Sequence, residues 1–277
     1  PPVDVALLDL CAKGAGCPLW ALLGGRCRHE VPVYDSSVHF EDLVEPGAGV
    51  EAVAERARDA VQRGFGTVKV RVGRGYRWMP WPDSTDRDVE ACRAVRKAVG
   101  PDVSIIVDAS CGYAGYVEDA ADFFAEVGDD GIGFATDMVA LSEIGALRRA
   151  LACRGIRLPL AAAPVLESPA VAEALLAHGT PDILETSPAQ TGVVQWLQIA
   201  RTAAARGAQV TCRSNGSHVG LHTGLHLATV APHCAICEYP DVSYPDSLRS
   251  ETVVHCGRVC APSEPGLGIR AIDPRRG

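Results

Sequence analysis

Several things are missing from this chain of 277 residues, and each absence closes off a class of function. There is no excess of positive charge. The 26 Lys and Arg against 34 Asp and Glu leave a net charge of -8 and a pI near 5.5. A nucleic-acid partner, which needs a basic face, is therefore not expected. No apolar run is long enough to span a bilayer, because Asp, Arg, Gly or Pro interrupts every candidate. No signal peptide opens the chain, since Pro1-Pro2-Val3-Asp4 has neither a basic start nor an apolar stretch. The expected location is the cytoplasm. The eleven cysteines are odd in number and scattered, unlike a disulfide framework. They read as mostly buried small hydrophobes in a reducing compartment. What remains, with 47% hydrophobic residues, is an ordinary globular composition with room for one large barrel or two small domains.

Periodicity then gives the architecture. Val3 to Leu23 has helical spacing, with Val5, Leu8, Ala12 and Ala15 on one face and Gly24-Gly25 as a stop. A short β-type run follows at Val31–Tyr34. Helices are expected over 49–63, 86–98, 117–127, 140–153, 169–178, 192–206 and 219–230. Strands are expected over 67–72, 103–107, 131–135, 158–162, 182–185, 209–212 and 235–239. About eight strand-helix beats at a period near thirty residues call for a parallel sheet. At that count a closed (β/α) barrel is favoured over an open doubly wound sheet. No Gly-rich phosphate fingerprint follows the first strand, which lowers the open-sheet option.

Barrel chemistry sits where strands end. The residues there are Ser36 or Ser37, Lys69 and Arg71, Asp108, Thr136 and Asp137, Pro164, Glu185 to Ser187, Arg213, and Glu238. Taken singly, each polar residue is better explained as a cap on the following helix.

Taken together they resemble a known family. The stretches are VDVALLDLCAKGAGCPLWALLGG at 3–25, GFGTVKVRVG at 64–73, VSIIVDASCGY at 103–113 and IRLPLAAAP at 156–164. Further on come PDILETSPAQTGVVQWLQIARTAAARGAQV at 181–210, SNGSHVGLHTGLHLA at 214–228, and EYPD through EPGLGI at 238–269. In this order they resemble the barrel domain of the enolase superfamily, in the mandelate racemase and muconate lactonising enzyme group. The resemblance implies a TIM-type (β/α)7β barrel over residues 1–256. A tail at 257–277 would pack towards an N-terminal capping domain that this chain lacks. It implies Mg²⁺ on three strand-end carboxylates and a Lys or His base that removes the proton α to a substrate carboxylate, as in dehydratases, racemases and cycloisomerases.

Position by position, the resemblance is degenerate. Lys-x-Lys becomes Lys69-Val70-Arg71, and Arg71 cannot readily release a proton at neutral pH. Asp108 keeps the first metal position. The second falls on Thr136, with Asp137 one place on, and the third on Pro164, with Glu167 three places late. Ser187 replaces the Asp of the His–Asp dyad, Arg213 replaces its His, and Glu238 is kept. Mg²⁺ binding is expected to be weak or lost, with Asp108 and Asp137 as vestigial ligands. Lys69, Arg71, Arg213 and Glu238 are the candidate catalytic groups, and the three cations the candidate substrate contacts. Two readings stay open. One is a metal-free pocket for a carboxylate or other small anion. The other is that Arg71 pairs with Asp108, and Arg213 with Glu238 or Asp137, filling an abandoned site. The protein is accordingly read as a divergent lyase or isomerase, or as an inactive barrel that binds an anion or serves as a partner subunit.

Three further features remain. His218, His222 and His226 are spaced to share a helix face, with His233-Cys234-x2-Cys237 beyond, a spacing that suits Zn²⁺ but brings no acidic base. The aromatic loop Arg74–Ser84 reads as a cover for a ligand, or as a contact with a neighbouring subunit or domain. Without a cap, Val259, Leu267 and Ile269 would form an exposed apolar patch. Association into a homo-oligomer, or with a chain that supplies the cap, is therefore expected.

Overall fold

The structure is a computed structural model that describes residues 2–44, 47–81, 83–128, 131–164, 166, 168–177, 181–240, 248–249 and 252–271. Chain order begins with α1 (Pro2–Gly14), α2 (Leu19–Leu22), β1 (Glu30–Val38), α3 (Glu41–Val44), α4 (Gly49–Gln62) and β2 (Thr67–Arg71). It continues with α5 (Gly75–Trp78), α6 (Asp83–Val99), β3 (Ser104–Asp108), α7 (Val117–Val127), β4 (Ile132–Thr136) and α8 (Ile144–Cys153). Then come β5 (Leu160–Ala162), α9 (Pro169–Leu176), β6 (Ile183–Thr186), α10 (Pro188–Thr191), α11 (Val193–Ala205) and β7 (Gln209–Cys212). The last elements are α12 (His218–Val230), β8 (Cys234–Tyr239), β9 (Leu248–Arg249), β10 (Arg258–Cys260) and β11 (Arg270–Ala271). Strands β1 to β8 follow one another in sequence order within one sheet, β1 also pairs with β8, and β10 is added beside β1. With helices between successive strands, this is the TIM-type α/β barrel fold.

The chain divides into two compact units, one of residues 35–163 and 180–183, the other of residues 1–34, 164–179 and 184–277. In the first, β2 and β3 are β-branched runs, and with β4 they are largely buried on both faces, as parallel strands under helices must be. Their register aligns Arg71 with Asp108 and Asp108 with Thr136. Three expected strand ends therefore stand in one row. Helix α4 buries Val53, Ala54, Ala57 and Ala60, a stripe at helical spacing that faces inward while Glu51 and Glu55 stay outside.

In the second unit, β7 and β8 pair in parallel with a bulge between Val210 and Cys212. Strand β10 lies antiparallel to the start of β1, with Val31 opposite Val259. The chain near Gly266 is tied to the start of the sequence. The Leu19 N–H donates to Gly266 O at 2.8 Å, and the Leu267 N–H to Asp9 Oδ1 at 2.8 Å. Val259 and Leu267 are consequently buried within this chain, against the expectation that they would be exposed.

Other expectations are adjusted. The first helix breaks after Gly14 and resumes only as α2, because Gly16 adopts a positive φ and Pro18 is extended. Strand β1 runs on to Val38, past the polar Asp35-Ser36-Ser37. The Asp35 carboxylate takes up the Ser37 N–H at 2.9 Å and Arg63 Nη2 at 2.7 Å, so buried polarity does not end the strand. Half of the loop expected after β2 is helical, as α5 and the start of α6. The cysteines are not mostly buried: Cys92, Cys212, Cys234 and Cys237 are, whereas Cys11, Cys27, Cys111, Cys153, Cys256 and Cys260 are exposed.

Candidate functional site

Asp108 closes β3 and is buried. Lys69 Nζ lies 3.2 Å from its Oδ2, and Arg71 Nη1 lies 3.1 Å from its Oδ1. The Ser110 N–H also donates to Oδ1, at 2.9 Å, and the Ser110 hydroxyl lies beside Arg71 Nη1. Burial acts to raise the Asp108 pKa. The charges of Lys69 and Arg71, with the Ser110 N–H, outweigh it and hold the carboxyl below its usual range. The expected pairing of Arg71 with Asp108 is present. It uses only one end of the guanidinium: among the described residues, Nε and Nη2 of Arg71 donate to no protein acceptor.

Arg71 also lines a cavity of about 610 Å³ whose wall includes His39, Phe40, Trp78, Ser110 and Cys111. The wall is rigidly built. Gly73 and Gly112 pack backbone against backbone, so a Cβ on Gly112 would strike the Gly73 main chain. Asp88 accepts from the Gly73 N–H at 2.7 Å and from the Tyr113 hydroxyl at 3.0 Å. The fully buried Arg74 joins Asp88 to Asp42, with Nη2 2.6 Å from Asp42 Oδ1. Ser110 and Cys111 both hold positive φ, at 44° and 62°, a costly conformation for residues with a Cβ and one that recurs where loops shape sites. The Phe40 and Trp78 rings sit 5.9 Å apart, and Trp78 is half exposed. Trp81 instead packs on Tyr116 at 4.6 Å, so only part of the aromatic segment borders the cavity.

The metal that the resemblance implies does not fit these residues. Both Asp108 oxygens already face cations. Thr136, next in the row, brings no charge. Asp137 has a positive φ of 45° and spends Oδ1 on the Ala163 N–H at 3.0 Å, which makes it a clamp between neighbouring strand ends. Pro164 has no side-chain donor atom, and Glu167 lies outside the described residues. Hard divalent cations need several oxygen ligands, most of them anionic. Among the described residues, no group of three or more His, Cys, Asp and Glu side chains converges as a metal cage.

In the other unit, Arg213 follows β7 and is half-buried, and its main-chain N–H donates to Thr186 O at 2.9 Å. Glu238, on β8, accepts from the Ser214 N–H at 2.8 Å, the Ser214 hydroxyl at 3.0 Å and the Asn215 N–H at 3.3 Å. It therefore clamps the loop that carries Arg213. Ser187 caps α10, accepting the Ala189 N–H at 3.2 Å, as a strand-end residue with a purely local role would. The histidines of α12 hold the chain together. The His226 Nδ1 accepts the Trp20 N–H at 3.2 Å, and the His222 Nδ1 lies 2.8 Å from Leu267 O.

The residue that sequence reasoning misses is His39, because that reading ends β1 at Tyr34. The signal is present: Val38-His39 continues the run of β1 by one more inward residue and then a ring at the strand end. Its N–H donates to both Glu41 carboxylate oxygens at 3.0 Å, which fixes the turn into α3. Partial burial, then Arg71 and Lys69, push its pKa below the usual imidazole value, against the pull of Glu41 and Asp108.

Known proteins share this frame. The D-galactarolactone cycloisomerase of Agrobacterium fabrum is 27% identical over 96% of this chain and 70% of its own length. The arabinonate dehydratase of Saccharolobus solfataricus is 24% identical over 98% and 69%. A galacturonate dehydratase from Geobacillus sp., solved as a point mutant complexed with Mg, superposes with a TM-score of 0.87 at 25% identity, over 98% of this chain and 71% of that one. Acid-sugar dehydratases, cycloisomerases and epimerases thus recur among the relatives. The family described as Enolase C-terminal domain-like matches residues 52–274, and this chain belongs to that family.

Proposed function

We propose that this protein binds a small organic carboxylate of the sugar-acid class in the Arg71 cavity, without a divalent metal. One observation carries the reading: Asp108 and Ser110 hold Nη1 of Arg71 while its Nε and Nη2 donate to no described residue, and Arg71 lines the cavity. The Nε–Nη2 edge is a ready fork for two parallel hydrogen bonds to a carboxylate. Lys69 and Arg71 both face Asp108, so cationic groups line the approach to this carboxylate. The names of the relatives, which refer to arabinonate, gluconate and xylonate, support the choice of acid. No step of the reading passes through Mg²⁺.

Calorimetric titration with D-gluconate, D-arabinonate and D-xylonate, in EDTA and again with Mg²⁺, tests it. Binding should be equal in both. Arg71→Gln should weaken it roughly 10- to 100-fold, the worth of a hydrogen-bonded charge contact. Binding that requires Mg²⁺ and vanishes in EDTA would refute it.

A further inference from the structure

A second cavity, of about 420 Å³, shares no residue with the one that Arg71 lines. It lies within the unit that holds β7 and β8, beside the start of β8 rather than at a strand's C-terminal end, where barrel folds carry their chemistry. Its volume is within the range of about 300–1,000 Å³ that small-molecule sites take. Helix α11 turns Trp196, Ile199 and Ala203 to the core. A second stripe at helical spacing, Leu197, Ala200, Arg201 and Ala204, lines the cavity. Leu23 and Val230 extend an aliphatic lining. Gly24 and Gly25, at φ of 113° and 97°, add wall that has no side chains. That segment is tied down: the Gly25 N–H donates to Trp20 O at 3.0 Å, and the Cys27 N–H to Thr229 O at 2.8 Å.

Two polar side chains border this lining, Arg201 and His233, and both are basic. Neither makes a hydrogen bond or ion pair to any described residue. No Asp or Glu is among the described residues that line the cavity. The free carbonyls at the end of α12 would oppose an anion there. Arg28 neutralises them: its Nη2 donates to Pro232 O at 2.6 Å and Ala231 O at 3.4 Å, and its Nη1 to Cys234 O at 2.9 Å. We propose that this cavity binds a medium-chain aliphatic carboxylate, with the chain along the apolar lining and the carboxylate on Arg201, His233 beside it. Arg presents two parallel N–H donors to a carboxylate. The chain is aliphatic because no Phe, Tyr or Trp is among the described lining residues to stack on a ring. The proposal stands apart from the Arg71 reading and survives its failure.

The test is calorimetric titration of the intact chain with hexanoate, octanoate and decanoate, and with octanol as the uncharged chain. One site per chain is expected, tightening about fourfold for each added CH₂ as apolar surface leaves water. Arg201→Gln, on the exposed side of α11, should weaken octanoate roughly 10- to 100-fold, the worth of a hydrogen-bonded charge contact. Ala204→Phe puts a ring into the lining and should abolish binding, with circular dichroism reading the fold of both variants. Octanol binding as tightly as octanoate would overturn the proposal, because the cation would then play no part. Undiminished octanoate binding in Arg201→Gln would overturn it even if Ala204→Phe failed to fold. Several weak sites in place of one, or no binding at all, would overturn it as well.

Discussion

Replacing Asp108 by Asn separates a metal site from an ion-paired anion site. The change keeps the shape and removes the charge. Lys69 and Asp108 side chains are about 6% and 5% exposed and that of Arg71 22%, so two largely desolvated cations would lose the Asp108 charge that they face. Breaking a buried ion pair in this way costs about 3–5 kcal/mol. For a chain of this size each kcal/mol moves the melting temperature by about 2–4 °C, so the variant should melt roughly 10 °C lower at neutral pH. The sign of the pH dependence follows from the lowered Asp108 pKa. Its contribution is present above the unfolded value of 3.8 and is lost as pH falls through the folded value. The gap between variant and wild type should therefore be full at pH 7 and shrink below pH 4. Thermal melts followed by circular dichroism, in EDTA and with Mg²⁺, read both effects. A ligated metal at a hundredfold excess over its Kd would add about 2.7 kcal/mol to the wild type. The reasoning fails if Asp108→Asn melts like the wild type in EDTA while Mg²⁺ raises the wild type alone.

Two further outcomes test the scaffold. His226 is buried, and that burial lowers its pKa to about 4. The unfolded chain binds its proton first, so acidification from pH 6.5 to pH 4 should cost about 3 kcal/mol at this residue. Urea melts across that range should show a shallower slope in His226→Gln, with the remainder due to His222, whose pKa is lowered by burial in the same sense. Gly112→Ala would drive a Cβ into the Gly73 backbone at the cavity wall. It should cost about 1–3 kcal/mol as overpacking and abolish carboxylate binding before it abolishes folding, as calorimetry and melts on one sample would show. A variant with wild-type binding would mean that the wall yields freely.

The fold was legible because its signals are local and repeated. Strands are β-branched runs such as Ser104–Asp108, helices carry an apolar stripe such as that of α4, and the beat recurs often enough to require a parallel sheet. What was illegible depended on long-range partners. Nothing in Asp35-Ser36-Ser37 announces that Arg63, 28 residues on, neutralises Asp35 and lets β1 continue to Val38. The burial of Val259 and Leu267 likewise depends on pairing with β1 and on Asp9, at the far end of the sequence.

The candidate site was half legible for a similar reason. Its losses could be read residue by residue: Thr136 and Pro164 bring no charge whatever their surroundings. Its gain could not, since Arg71 is equally consistent with a sealed ion pair and with an open fork. Register sets how the pair forms. Arg71 lies directly across from Asp108, so the pair forms end-on through Nη1, and Ser110, turned back by its positive φ, meets the same nitrogen. An end-on pair leaves the other edge of a rigid planar group pointing away from its partner. Where the family resemblance expects a carboxylate on a dication, Asp108 faces the two cations Lys69 and Arg71.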